Sequence, residues 1–249
     1  MLWRKFQINW PYALGELTIV AVGVLIALGI NQWNTERLDR ALGNEYLNRL
    51  LSDVQADISW SNNVLIALND KAEALDLLSR AINEDSTSST NPTLLLHAIP
   101  KTLVLAFNAP SVRTATFDDM MSTGRLALVS PISIRETILS YYALGTNSEN
   151  RLEGRMTKYP HSVFANVPQS TLAWFEVGSF SLQRLRPTPA TPPTKFSNGE
   201  VEAVLRWLAD VDTGKLINAE KNYNSHAIQI IEGGRNRALN LIETIEKSP

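Results

Sequence analysis

The chain has 249 residues, of which 44% are hydrophobic and 19% are charged, a composition that supports a folded core and excludes a disordered or collagen-like protein. Its formal net charge is -2, so no overall positive field attracts it to a phosphate backbone, and we expect no nucleic-acid partner. The absence of cysteine excludes disulfides, thiol nucleophiles and cysteine-ligated metals.

The first predicted element is a transmembrane helix over residues 12–34, which follows a short N-terminal tail over residues 1–11. From Ala13 to Ile30 the sequence reads ALGELTIVAVGVLIALGI, and its only ionisable side chain is Glu16. This length is close to what a helix needs to cross the hydrocarbon core of a bilayer. The lipid bilayer is therefore the first predicted partner.

Aromatic residues flank the predicted span on both sides. Trp10 and Tyr12 precede it and Trp33 follows it, so the two tryptophans would lie roughly 35 Å apart along a helix, one in each headgroup layer. A buried core helix is one alternative. A cleaved signal peptide is another, because Arg4 and Lys5 give the segment a positive start.

One face of the predicted span has the character of a helix-association surface. At about 100° per residue, five residues fall within about 40° of this face: Glu16, Val20, Gly23, Ala27 and Asn34. Gly23 and Ala27 form a small-xxx-small pair, which allows close approach of another helix. The alternative for Glu16 is that its carboxylate extends to the membrane interface.

Several short motifs in this region and beyond it resemble an uncharacterised bacterial family of single-span proteins. The motifs are Tyr12-Ala13-Leu14-Gly15-Glu16, Gly23-Val24-Leu25-Ile26-Ala27-Leu28, Ile30-Asn31-Gln32-Trp33-Asn34, Thr116-Phe117-Asp118-Asp119, Ser122-Thr123-Gly124-Arg125-Leu126 and Tyr141-Tyr142. The resemblance implies a membrane-anchored helical domain, and it supplies no catalytic residues.

A long stalk helix is predicted over residues 35–84. Eleven positions in it follow a 4-3 repeat, and nine of them are apolar: Leu47, Leu51, Val54, Ile58, Ser61, Leu65, Leu68, Ala72, Leu75, Ser79 and Ile82. This stripe, roughly 50 Å long, must pack against another surface. Either other helices of the same chain cover it, or copies of the chain form a coiled coil.

Residues 85–249 are predicted to form a helical soluble domain. A polar loop is expected over 85–92, and Thr116 is expected to cap a helix that ends at a left-handed Gly124. Pro131 should open a helix that Pro160 ends. The final helices are predicted over 200–210, capped by Ser197 or Asn198, and over 215–247. An extended proline-rich excursion is predicted at 186–193, and strands remain an alternative at 103–107 and 174–180.

No catalytic or metal-binding constellation stands out in the sequence. His97, His161 and His226 are scattered, and none has the spacing of a zinc-binding helix. The closest carboxylate pairs, such as Asp118 with Asp119, are typical of solvated helix faces. We therefore predict that the protein is not an enzyme and that it binds no metal and no cofactor.

The predicted fold class is all-α, with one transmembrane helix that continues into a stalk helix and packs with a helical-bundle soluble domain. The predicted function is a non-enzymatic membrane-anchored interaction or scaffold protein, such as an accessory subunit of a larger bacterial membrane complex. Its predicted partners are other membrane subunits or further copies of itself. The predicted location is the bacterial inner membrane, with the C-terminal domain in the periplasm. The alternative is a tethered sensory or ligand-binding domain in which Arg125, Tyr141 and Tyr142 face a cavity.

Overall fold

A computed structural model describes residues 10–83, 91–104, 112–152, 157–172 and 193–247. Throughout these residues the regular secondary structure is helical, which confirms the predicted all-α class. The helices are α1 (Trp10–Asn83), α2 (Pro92–Lys101), α3 (Ala115–Ser122), a 3-10 helix (Arg125–Leu128), α4 (Ile132–Leu152), α5 (Tyr159–Asn166), α6 (Gln169–Leu172), α7 (Asn198–Leu208) and α8 (Val211–Glu246). Most of the predicted loop at 85–92, the excursion at 186–193 apart from Pro193, and the possible strand at 174–180 lie outside the described residues.

The predicted span and stalk form one uninterrupted helix. α1 contains 74 residues and is about 110 Å long. Its N-terminal part has a window of mean hydropathy 2.0, and none of that window is buried. An apolar helix of this length and exposure is a candidate membrane span. The exposure argues against the core-helix alternative, whereas a signal sequence passes the same test of length and composition.

The stalk part of α1 packs against α8, and the two helices run antiparallel. Lys221 Nζ lies 2.7 Å from Asp76 Oδ1, and the Asn224 side chain donates to the Leu68 carbonyl at 2.9 Å. Further toward the C-terminus of α8, Arg235 donates to Asn62 at 3.3 Å. Residue numbers therefore fall along α1 as they rise along α8, and the C-terminus of α8 points toward the apolar end of α1.

The buried seam of α1 follows the predicted repeat only in part. Five predicted positions are buried, namely Val54, Ser61, Leu65, Leu68 and Leu75, and the intervening buried positions are Leu50, Asp57, Val64, Lys71 and Leu78. Each intervening residue precedes its predicted counterpart by one. The prediction missed this register because positions 57 and 71 are charged. Other helices of the same chain cover the stripe, as the first of the two explanations predicted.

Among the described residues, the apolar interior is divided into three clusters along the α1 and α8 pair. The proximal core, nearest the apolar end of α1, includes Tyr46, Leu50, Ile138 and Leu241. The distal core lies at the other end and is built from α1, α2, α5, α6, α7 and α8. Between them is a central cluster of five buried residues, all from α1 and α8: Val64, Leu65, Leu68, Ala227 and Ile231.

Several predicted helix ends need correction. α3 begins at Ala115, so Thr116 does not cap it; the Thr116 hydroxyl instead donates to Asp53 at 2.5 Å. Pro160 lies in the first turn of α5, where a missing N–H costs nothing, rather than after the end of a helix. Gly124 has φ of 70°, which confirms its predicted left-handed conformation.

Each of the two C-terminal helices begins directly after a residue whose side chain caps it. Ser197 caps α7, as one of the two predicted caps, and forms a capping box with Glu200. α8 begins four residues earlier than predicted, at Val211, because the Asp210 side chain accepts the Asp212 N–H and caps it.

Candidate functional site

The predicted association face of α1 is open in the structure. Its residues Glu16, Val20, Gly23, Ala27 and Asn34 are all exposed, and a Cβ atom placed on Gly23 would meet no other atom within 4 Å. Counting 100° per residue, this face lies roughly 150° around α1 from the seam that packs on α8. A second helix can therefore approach it without meeting the bundle.

The aromatic residue on the bundle side of the apolar segment is also exposed. Trp33 is 60% exposed, and the guanidinium of Arg37 lies over its ring at 5.9 Å from the centroid. Trp10 is the first residue of α1, so Trp10, Tyr12 and Trp33 belong to one helix, as the belt prediction requires. Whether they lie at two membrane interfaces stays a prediction.

A polar cluster around Tyr46 joins α1 to α3 and the 3-10 helix. The Tyr46 hydroxyl donates to Asp119 at 2.9 Å and accepts from the Arg125 guanidinium. Arg49 lies 3.6 Å from Asp119, and the guanidinium carbons of Arg49 and Arg125 lie 5.1 Å and 5.4 Å from the centroid of the Tyr46 ring. This cluster therefore holds the turn after α3 against α1.

A second polar cluster surrounds the buried carboxylate of Asp57, whose side chain is 2% exposed. It accepts hydrogen bonds from the Arg113 guanidinium at 2.7 Å, the Arg113 N–H at 3.2 Å and the Tyr141 hydroxyl at 2.9 Å. Burial raises the pKa of Asp57, although these donors oppose the rise. Burial and the Asp57 carboxylate both raise the pKa of Tyr141, so its hydroxyl stays a donor.

The structure brings together the family motifs over residues 116–119, 122–126 and 141–142. Their side chains contact other residues of the same chain. Tyr141 is hydrogen-bonded to Asp57, and Arg125 is hydrogen-bonded to Tyr46. The Tyr142 ring stacks on Phe117 with centroids 4.1 Å apart. The three residues that the ligand-binding alternative assigned to a cavity are thus engaged within the protein.

A third polar cluster, which the sequence analysis missed, lies between α1 and α8. Lys71 Nζ is 2.5 Å from Glu220 Oε1, and their side chains are 1% and 2% exposed. Lys71 also donates to the Val104 carbonyl at 2.8 Å, and the Thr157 hydroxyl donates to Glu220. Burial lowers the pKa of Lys71, and Glu220 partly opposes that shift. The sequence did contain a signal for burial of these charged residues. Asp57 and Lys71 are fourteen residues apart, which is two heptads, so they occupy the same position of the heptad repeat.

The histidines are spread over three helices. His97 on α2 lies 2.9 Å from the Pro193 carbonyl and packs edge-on against Phe196, at a centroid distance of 5.3 Å. His161 lies on α5 and His226 on α8. Among the described residues, no group of three or more histidine or acidic side chains is placed to hold a metal ion.

No family model, curated protein or solved structure matches this chain. The resemblance to the single-span bacterial family accordingly stays a prediction based on the short motifs quoted above.

Proposed function

We propose that this chain is a single-pass membrane protein without catalytic activity, in which residues 12–34 cross the bilayer and the helical bundle serves as an interaction domain. The observation that carries the proposal is that every described side chain in the apolar end of α1, from Leu14 to Trp33, is exposed. Leu17, Ile19 and Leu25 are 66%, 75% and 67% exposed, and comparable side chains surround the helix. Exposure of such an apolar surface to water costs free energy, and this cost is removed when the helix lies in lipid.

The proposed orientation places residues 1–11 in the cytoplasm and the bundle in the periplasm of a bacterium. Arg4 and Lys5 favour a cytoplasmic N-terminus because basic residues near a span are retained on that side. Arg37 and Arg40 follow the span on the other side, where Arg37 is close to the Trp33 ring and Arg40 lies 4.0 Å from Glu36.

The proposed partner is another membrane helix, contributed by a larger respiratory, photosynthetic or transport complex or by a second copy. Three features of the face support this role. Gly23 and Ala27 leave room for a neighbouring backbone, and Glu16 provides a carboxylate that a partner can satisfy within lipid. The face is also turned away from the bundle, so docking there leaves the bundle free to bind a further subunit.

Cysteine labelling tests the anchor and its orientation directly, because the chain contains no cysteine. Two single-cysteine variants, Val22→Cys and Thr35→Cys, are exposed to a membrane-impermeant maleimide in spheroplasts. We expect Thr35→Cys to react and Val22→Cys to remain unlabelled. Equal labelling at both positions would contradict a membrane span. Labelling of Thr35→Cys only after lysis would reverse the orientation, and a mature protein that lacks residue 22 would identify a signal peptide.

The association face is tested by comparing two glycine substitutions. Gly23→Ile should block close approach and reduce the co-purification of partner subunits or of a differently tagged copy from detergent. Gly29→Ile is the matched control, because Gly29 is equally open and lies about 120° away around the helix. Equal assembly of both variants and wild type would show that the face binds nothing.

A further inference from the structure

Two adjacent glycines, Gly233 and Gly234, lie in the interior of α8, a helix of 36 residues. Glycine weakens a helix interior because it loses the most backbone freedom on ordering. No described residue packs closely enough against either position to require glycine there. A Cβ atom on Gly233 would approach only the Arg237 guanidinium, at 3.5 Å, and one on Gly234 would approach it at 3.8 Å. Both are ordinary contacts with a flexible side chain.

α1 is also weakened at this level of the bundle. The contact between Arg235 and Asn62 places residues near 60 of α1 beside the glycine pair. Here the Ser59 hydroxyl donates to the Gln55 carbonyl at 3.0 Å, and the Ser61 hydroxyl donates to the Asp57 carbonyl at 2.9 Å. Serine side chains that bond back to the i−4 carbonyl compete with the helical hydrogen bonds and often bend a helix.

The level of the glycine pair coincides with a boundary in the hydrophobic interior. Ile231 belongs to the central cluster and Ala238 to the proximal core, so the pair lies between them. Among the described residues, the central cluster holds five buried side chains, all from α1 and α8, with Trp60, Ile228 and Ile230 packed against it, so it is smaller than either of the other two. Bending at this level therefore disturbs few apolar contacts, whereas bending within either larger core would separate many.

We propose that Gly233 and Gly234 form a hinge in α8, about which the distal core changes its angle relative to the proximal core and the apolar part of α1. The serines opposite allow α1 to bend with it. The hinge lies wholly within the helical bundle, so it does not depend on the membrane proposal.

Hydrogen exchange of the full chain in detergent micelles tests the hinge. Amides over residues 231–237 should exchange faster than those of the α8 turns on either side. In the Gly233→Ala/Gly234→Ala variant they should slow by about fivefold for each glycine replaced, after correction for intrinsic rates. Gly214→Ala is the matched control in the same helix, since its Cβ would also make an ordinary contact, 3.7 Å from Ile82. It should leave residues 231–237 unchanged. Uniform protection along wild-type α8 would overturn the hinge.

A distance measurement reports the motion itself. Met121 on α3 and Phe164 on α5 are 50% and 55% exposed, and each is replaced by cysteine to carry a spin label. One label then lies on the side of the proximal core and the other on the side of the distal core. We expect a broad distance distribution that narrows when both glycines become alanine. A distribution that is equally narrow in both proteins would overturn the proposal, even if exchange near the glycines proved fast.

Discussion

Removal of one member of the buried Lys71–Glu220 pair should destabilise the bundle strongly. The two side chains are 1% and 2% exposed, so Lys71→Met leaves the Glu220 carboxylate in an apolar interior without its countercharge. Breaking a buried pair in this way costs about 3–5 kcal/mol of unfolding free energy. The Thr157 hydroxyl remains bonded to Glu220, whereas the Val104 carbonyl loses its donor.

A variant that lacks both charges separates the free energy of attraction between Lys71 and Glu220 from the free-energy cost of removing the two charges from water. Lys71→Met/Glu220→Met contains neither charge, and apolar replacement of a whole buried pair is often neutral or stabilising. Its remaining cost is the loss of partners for Val104 and Thr157, about 1–3 kcal/mol for each buried polar group left unsatisfied. We therefore expect the double variant to be more stable than Lys71→Met.

The assay is urea unfolding of the full chain in detergent micelles, followed by circular dichroism and by tryptophan fluorescence, since Trp207 lies in the distal core. Lys215→Met is the control, because Lys215 pairs with Asp212 at 2.8 Å on the surface, where both side chains are more than 70% exposed. It should produce no measurable change. The reasoning would be refuted if Lys71→Met were as stable as wild type, or if the double variant were no more stable than Lys71→Met.

Three further outcomes are expected from the same unfolding assay. Gly43→Ala should lower the free energy of unfolding by about 1–3 kcal/mol, because its Cβ would lie 2.8 Å from the Leu128 carbonyl oxygen. Gly29→Ala is the control and should cause no such loss, because its Cβ would meet nothing within 4 Å. Since the folded pKa of Asp57 is raised, its stabilising contribution is present below the unfolded pKa of about 3.9 and is lost as pH rises through the folded value. Wild type should therefore lose stability relative to Asp57→Asn as pH rises above about 4, and a constant difference would contradict this. Ser197→Ala should cost about 1 kcal/mol by removing the cap of α7, and no loss would mean that the capping box is dispensable.

The helical fold was predictable because its signals are local. The apolar run from Ala13 to Ile30, the proline-free stalk and the Ser197 capping box all depend on neighbouring residues. The start of α8 was misplaced by four residues because the cap that Asp210 provides was not recognised. Pro160 was misread because a proline after a helix and a proline in the first turn of the next helix have the same local pattern.

The buried polar clusters were not predictable in the same way. A hydrophobic repeat excludes Asp57 and Lys71 from the core, although each occupies a seam position. Their burial depends on partners that are distant in sequence, namely Arg113 and Tyr141 for Asp57 and Glu220 for Lys71. Sequence periodicity does not report such pairing.

The continuity of α1 has a mechanical consequence for a membrane-anchored bundle. From Leu14 to Tyr46 the helix extends about 48 Å without a break. If the apolar segment lies in lipid as proposed, a tilt of about 20°, average for spanning helices, carries the proximal core sideways by roughly 16 Å. A change in bilayer thickness, or the docking of a neighbouring helix, would alter this tilt and thereby move the whole helical bundle parallel to the membrane surface.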